Sequence, residues 1–301
     1  MVLLVPPVAR FVVEHAGGRA YNQTQAILSC LRVLSRRHRA VLDGVARHSS
    51  VMDAIVVRSA SPAAFASAAF KKLRFYQSLQ IPVKRARIIV KLLTSRAVAR
   101  LCRFPNLQHV DFVGCGDGLT KAASEILAKA NLQIVNFKAD EYTTDATVKR
   151  MSKCPHLRTA IFDFCHMVTD NAAKSLSKCP NLHTVAFDYC DTTDRAAKYL
   201  ARCPQLQSVS LSENISDKAT EHLAKCPQLK SLRFRGAEDL SDIAGQNLGK
   251  CLQLQTLIVE DCFALGDLLT DAFIMHVVKC PQLRHLSYDF FTDASLAHLV
   301  T

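Results

Sequence analysis

A four-residue phrase recurs along the second half of the chain: Cys154-Pro155-His156-Leu157, Cys179-Pro180-Asn181-Leu182, Cys203-Pro204-Gln205-Leu206, Cys226-Pro227-Gln228-Leu229 and Cys280-Pro281-Gln282-Leu283. Anchored on the leucine, the series Leu107, Leu132, Leu157, Leu182, Leu206, Leu229, Leu254 and Leu283 advances in steps of 25, 25, 25, 24, 23, 25 and 29 residues. A period of this size belongs to stacked supersecondary units, each too small to bury its apolar face alone. The chain of 301 residues therefore divides into an array of eight visible units and what precedes it.

Each unit has the same internal order. It opens on an apolar pattern of the form LxxLxL, as in Leu182, Val185, Phe187 or Leu229, Leu232, Phe234, whose last two positions alternate as in a short half-buried strand. Farther on comes Thr or Ser followed by Asp: Thr144-Asp145, Thr169-Asp170, Thr193-Asp194, Ser216-Asp217, Ser241-Asp242, Thr270-Asp271 and Thr292-Asp293. A short side-chain oxygen caps free backbone N–H groups, and a carboxylate suits the positive end of a helix, so these pairs predict helix starts. Apolar stripes such as Ala172, Ala173 and Leu176 follow, and Cys-Pro ends each helix because proline cannot continue it.

In this order of strand, loop, Thr-Asp, helix and Cys-Pro, the chain resembles the cysteine-containing leucine-rich repeat found in F-box/LRR proteins. The resemblance runs over residues 83–301, since Val83, Ala86, Ile88, Thr94, Ala97, Leu101 and Cys102 read as an earlier, degenerate unit. It departs at Ala130, where Cys-Pro is missing, and at Leu252, which stands in place of the proline after Cys251. The fold expected is an α/β leucine-rich-repeat solenoid, a horseshoe, preceded by an all-α F-box-like segment. The domains are then 1–50, F-box-like; 51–82, a helical linker or N-terminal cap; and 83–301, the solenoid.

Charge separates the two parts. Residues 1–100 carry 17 Lys or Arg against three acids, a balance of 17 − 3 = +14, whereas the other 201 carry 21 basic and 23 acidic residues, or −2. Nucleic-acid binding by the whole chain is thus not what the overall +12 means. Val5-Pro6 followed by Phe11, and a second apolar run through Leu31 and Leu34 into Ser35-Arg36-Arg37, resemble the opening and the basic turn of an F-box, with His38 where that motif has tryptophan. The resemblance implies docking of Val5, Pro6, Phe11, Leu31, Leu34, Arg36 and Arg37 on a Skp1-like adaptor, whose acidic character a +14 segment would steer toward. An organellar targeting segment is the alternative for this basic stretch. Lys71, Lys72, Arg74, Phe75 and Tyr76 also offer an RNA-like pattern, but Phe65, Phe70, Leu73 and Tyr76 have helical spacing, which favours a core stripe over nucleic acid.

In the repeat pattern the first, fourth and sixth residues face the core, so the third, fifth and seventh line the open side of the sheet. The seventh positions include Asp163, Asp188, Arg235, Glu260 and Asp289, Arg233 is a fifth position, and Phe164 and Tyr189 follow at the eighth. Like charges on neighbouring strands need compensation and aromatic residues dominate interface hot spots, so these eight are the candidate partner-binding residues.

Eleven of the 12 cysteines lie after residue 100, one per strand end or helix end, with no CxxC and no HExxH. Their spacing suits small buried hydrophobes in a reduced compartment and excludes a zinc site. No nucleophile elbow, P-loop or dinucleotide fingerprint occurs, and no cofactor is expected. The first apolar stretch, 1–9, is broken by Pro6 and Pro7 and is far short of the roughly 20 residues of a membrane span. The resemblance implies a non-catalytic substrate-recognition adaptor of a Skp1-cullin-F-box ubiquitin ligase, a monomer within a complex, binding a protein substrate in the cytoplasm or nucleus. The alternative is a repeat scaffold without ligase association, such as an organellar assembly factor similar to the mitochondrial coupling-factor-B group.

Overall fold

The computed structural model describes residues 54–59, 83–90, 95–115, 119–140, 142–262 and 269–288. Among them lie ten strands: β1 (Ala54–Ser59), β2 (Arg85–Val90), β3 (His109–Val113), β4 (Ile134–Lys138), β5 (Thr159–Asp163), β6 (Thr184–Asp188), β7 (Ser208–Ser212), β8 (Ser231–Arg235), β9 (Thr256–Glu260) and β10 (His285–Tyr288). Eight helices alternate with them: α1 (Ser95–Leu101), α2 (Lys121–Ala128), α3 (Asp145–Met151), α4 (Asp170–Leu176), α5 (Asp194–Leu200), α6 (Asp217–Leu223), α7 (Asp242–Leu248) and α8 (Asp271–Val277). The strands form one parallel sheet in strict chain order, each pairing with its sequence neighbours. This is a leucine-rich-repeat solenoid.

The sheet begins earlier than the leucine anchors place it. β1 lies inside the stretch 51–82, expected to be a helical linker or cap, and pairs in parallel with β2 from Ala54↔Arg85 to Ser59↔Val90. Its sequence, Ala-Ile-Val-Val-Arg-Ser, is rich in β-branched residues, which suit a strand, yet it has neither the leucine anchor nor the Cys-Pro that a repeat search detects. The F-box-like segment 1–50 lies outside the described residues.

The core runs along the array between strands and helices. Phe112, Phe137, Phe162 and Phe187, each a sixth position, stack ring on ring with centroids 4.9, 5.5 and 5.5 Å apart. Cys115, Cys165, Cys190 and Cys262 at strand exits and Cys154, Cys179, Cys203, Cys226, Cys251 and Cys280 at helix ends are all buried and unoxidised. The thiols of Cys115, Cys154, Cys165, Cys179, Cys190 and Cys280 donate to carbonyls of the preceding repeat, as Cys154 Sγ does to Leu127 at 3.5 Å and Cys280 Sγ to Leu248 at 3.0 Å, so at those two sites the small side chain also satisfies a carbonyl at a helix end. Leu252, which breaks the Cys-Pro rule, is 67% exposed; the position after the cysteine faces water, and losing proline there leaves no gap in the core.

The Thr-Asp pairs do more than start helices. Ser216 Oγ accepts from the Lys218 N–H as a cap, and Ser216 also donates its backbone N–H (2.8 Å) and its hydroxyl (2.7 Å) to the two carboxylate oxygens of Asp194, one repeat earlier. The same two-pronged bond joins Thr169 to Asp145, Thr193 to Asp170, Ser241 to Asp217 and Thr270 to Asp242. The carboxylate expected to serve its own helix dipole therefore ties neighbouring helices together.

Parallel strands pack about 4.8 Å apart, whereas helices need about 8–10 Å. The array consequently bends with the sheet on its inner, concave side. α7 and α8 approach so closely that a Cβ on Gly245 would lie 2.7 Å from the Phe273 carbonyl oxygen, and one on Gly249 would lie 2.6 Å from that of His276.

Candidate functional site

The face left open is the concave sheet. Strand registry aligns its side chains into rows: His109, Ile134, Thr159, Thr184, Ser208, Ser231, Thr256 and His285 form one, and Asp111, Asn136, Ile161, Ala186, Ser210, Arg233, Ile258 and Ser287 the next. In the third row Lys138 stands beside Asp163, Asp163 beside Asp188, and Arg235 beside Glu260.

Ser212 leaves this row. A seventh position belongs on the open face, but Ser212 is fully buried, donating to the Phe187 carbonyl at 3.2 Å and accepting from the Tyr189 N–H through Oγ. The hydroxyl thus replaces a strand-to-strand backbone bond, and the β6–β7 register stops at Phe187↔Leu211.

Just past each of β3 to β9 the backbone turns through the left-handed region. Gly114, Ala139, Phe164, Tyr189, Glu213, Gly236 and Asp261 all have φ between 50° and 63°. The turn aims five of these N–H groups at the seventh-position carbonyl of the next strand, as from Phe164 to Asp188 at 2.9 Å and from Gly236 to Glu260 at 2.9 Å. Glycine adopts this conformation freely, while a Cβ there costs roughly 1–2 kcal/mol.

Three electrostatic groups occupy the face. Near its N-terminal end, Asp111 accepts from Arg85 Nη2 at 2.9 Å and Nε at 3.1 Å, meets His109 Nε2 at 2.6 Å, and accepts from Asn136 Nδ2 at 2.6 Å. Burial alone would raise this carboxyl, but the hydrogen bonds from His109 and Arg85, the charge of His109 and the Asn136 amide overcome it and hold the group down at about 2. His109, Asp111 and Asn136 occupy third and fifth positions of adjacent repeats, and the shared register of β3 and β4 brings them together.

At the centre, Asp163 Oδ2 pairs with Lys138 Nζ at 2.9 Å, while its Oδ1 is buried and accepts nothing. Asp188 is buried and accepts from the Ser210 hydroxyl. Burial raises its carboxyl above the ordinary range against the Ser210 bond, and the neighbouring Asp163 charge adds to the rise. Phe164 is 43% exposed and stacks on Tyr189, centroids 4.5 Å apart and planes 17° from parallel.

Toward the C-terminal end, Arg235 lies over the Tyr189 ring at 5.6 Å and makes ionic contacts through Nε with Glu260 Oε1 at 2.9 Å and Asp261 Oδ2 at 3.2 Å. The Glu260 contact is one of charge without a directed hydrogen bond. Arg233 Nε approaches the same Glu260 at 3.6 Å, and the Tyr189 hydroxyl donates to Asp261 at 3.3 Å. Arg233 and Arg235, candidates for partner contact because like charges need compensation, find it within the fold in Glu260 and Asp261. Seven of the eight expected face residues thus converge on β5 to β9, while Asp289 lies outside the described residues, as do Val5, Pro6, Phe11, Leu31, Leu34, Arg36 and Arg37.

Among the described residues no group of three or more His, Cys, Asp or Glu is placed to hold a metal ion, and no helix is long and apolar enough to cross a membrane.

No family model and no curated protein matches the sequence. Solved structures do. TLR13 in its complex with ssRNA13 is 18% identical with a TM-score of 0.44, over 68% of this chain and 29% of that one. A chain of the Rad7 and Elc1 complex in yeast is 14% identical with a TM-score of 0.40, over 89% and 84%. An internalin, inlF, from Listeria monocytogenes str. 4b F2365 is 15% identical with a TM-score of 0.43, over 74% and 73%. The present chain thus spans less than a third of the TLR13 chain.

Proposed function

We propose that this chain is a non-catalytic recognition scaffold that holds a protein substrate on its concave sheet and, through residues 1–50, joins a Skp1-like adaptor of a cullin-RING ubiquitin ligase. The observation that carries the recognition role is the exposed Phe164–Tyr189 stack flanked by charged groups on a face whose opposite side is a continuous packed core. Aromatic side chains held rigid at the centre of a surface, with charges around them, suit protein recognition. The adaptor role is supported by the Val5-Pro6 opening and the Ser35-Arg36-Arg37 turn.

The test is capture of purified Skp1 by the full-length protein, compared with an Arg36→Glu plus Arg37→Glu variant. Binding by the natural chain and its loss in the variant is the expected result. No capture by the natural chain would sink the ligase reading. The charge step between residues 1–100 and the rest favours a second reading, a scaffold whose basic end directs it into an organelle; import with trimming of that end, without Skp1 capture, is its signature.

A further inference from the structure

Asp163 and Asp188 stand side by side in the sheet, yet the one cation in direct contact with the pair is Lys138, which is 58% exposed and reaches only Asp163 Oδ2, while Arg233 and Arg235 act on Asp188 from beyond ion-pair distance. On the open face β7 contributes Ser208 and Ser210 from the neighbouring rows, both uncharged, and Arg233 and Arg235 make their ion pairs with Glu260 and Asp261. Asp163 Oδ1 is buried without a hydrogen-bond partner, so a guest reaches this carboxylate at Oδ2, where Lys138 sits. Phe164, next in the chain, is 43% exposed. The turn does not require an aromatic there, because glycine serves at 114 and 236 and alanine at 139. Two neighbouring repeats instead hold large rings in the left-handed conformation, stacked on each other.

We propose that the protein partner docks here through an arginine, its guanidinium bridging Asp163 and Asp188 and its flank lying against Phe164. This rests on the protein-recognition reading above and names the chemistry of the partner. A guanidinium is planar, presents paired N–H groups in a fixed fork to two carboxylates and stacks flat on an aromatic face; an ammonium is a point charge without that fork or that flat face, and Lys138 contacts a single oxygen. Phe164 and Tyr189 already form a stack of two rings covered at the Tyr189 end by the Arg235 cation, and a guest arginine covers the Phe164 end. The whole chain carries +12, so a cationic ligand that binds it does so at a local acidic site against the general field.

The test is a fluorescence-anisotropy titration of the full-length protein with labelled nona-arginine and nona-lysine. The arginine peptide is expected to bind more tightly than the lysine peptide. Asp163→Asn plus Asp188→Asn should weaken arginine binding by about tenfold or more. Lys138→Met should strengthen it, because the resident competitor is gone, a gain that misfolding cannot imitate. Binding that is equal for the two peptides, or unchanged in both variants, overturns the proposal. Skp1 capture without arginine selectivity would reject this docking mode and leave the ligase reading standing; arginine selectivity without Skp1 capture would keep this docking mode and the recognition role and reject the ligase reading.

Discussion

Asp111 and Asp188 face the same side of one sheet and meet opposite surroundings. Asp111 is ringed by Arg85, His109 and Asn136, which favour its ionised form; Asp188 has burial and an acidic neighbour against it, which the Ser210 hydroxyl and the charges of Arg233 and Arg235 only partly offset. A carboxyl held at about 2 contributes stability that is fully present above the ordinary value near 3.8 and is lost as pH falls through about 2. Since Arg85 is half exposed and its charge is screened, Asp111→Asn should cost about 1–2 kcal/mol at neutral pH. That difference should close between about pH 4 and pH 2, as read by urea unfolding. Asp188 has the opposite sign: its raised carboxyl makes ionisation unfavourable in the fold, so stability falls as pH rises through its folded pKa, and Asp188→Asn should leave neutral-pH stability unchanged or higher. The rows holding these residues were legible in the sequence because strand side chains alternate with period two from a constant leucine anchor. The burial of Ser212 was not, because a serine at a seventh position is small enough to turn between strands and the pattern of apolar residues is silent about it.

At the scale of the element, the Thr/Ser-Asp clamp is the joint between repeats. Removing Asp194 leaves the Ser216 N–H and hydroxyl without the acceptor they share, in a half-buried setting where an unmet polar group costs about 1–3 kcal/mol. Asp194→Ala is expected to lower stability by that order, and hydrogen exchange should show the Ser216 amide losing protection along with the first turn of α6. Unchanged exchange at Ser216 would mean that the clamp carries no load. The helix starts themselves could be read from sequence, since capping is local. The clamp could not, because its partners lie 22 to 28 residues apart and the same Asp satisfies the local dipole argument equally well. The left-handed exits had a readable sign in Gly114 and Gly236, one glycine at the same place in two repeats; the aromatic, acidic and alanine residues elsewhere in that column hid it.

For the whole molecule, the cysteine ladder gives the most direct check on the stacked array. Burial pushes the Cys154, Cys203 and Cys251 thiols up to about 12 and those of Cys179, Cys226 and Cys280 to about 11. Reactivity follows the thiolate, so these cysteines should resist iodoacetamide in the native protein at pH 8 and react together once it unfolds, as followed by mass spectrometry. Stepwise labelling from one end would instead show repeats opening one at a time, as a chain of nearest-neighbour contacts permits.

By itself the sequence determined that this chain is a solenoid, how its strands and helices alternate and which residues fill its core, because those outcomes follow from constraints repeated in every unit. Only the tertiary structure decided that β1 extends the sheet, that Arg233 and Arg235 are answered by Glu260 and Asp261, and that Asp163 keeps an oxygen unmet beside an exposed aromatic stack. These depend on where single side chains meet across neighbouring strands. A repeat period sets which positions become neighbours; the pairing energy belongs to the particular residues that vary from one repeat to the next.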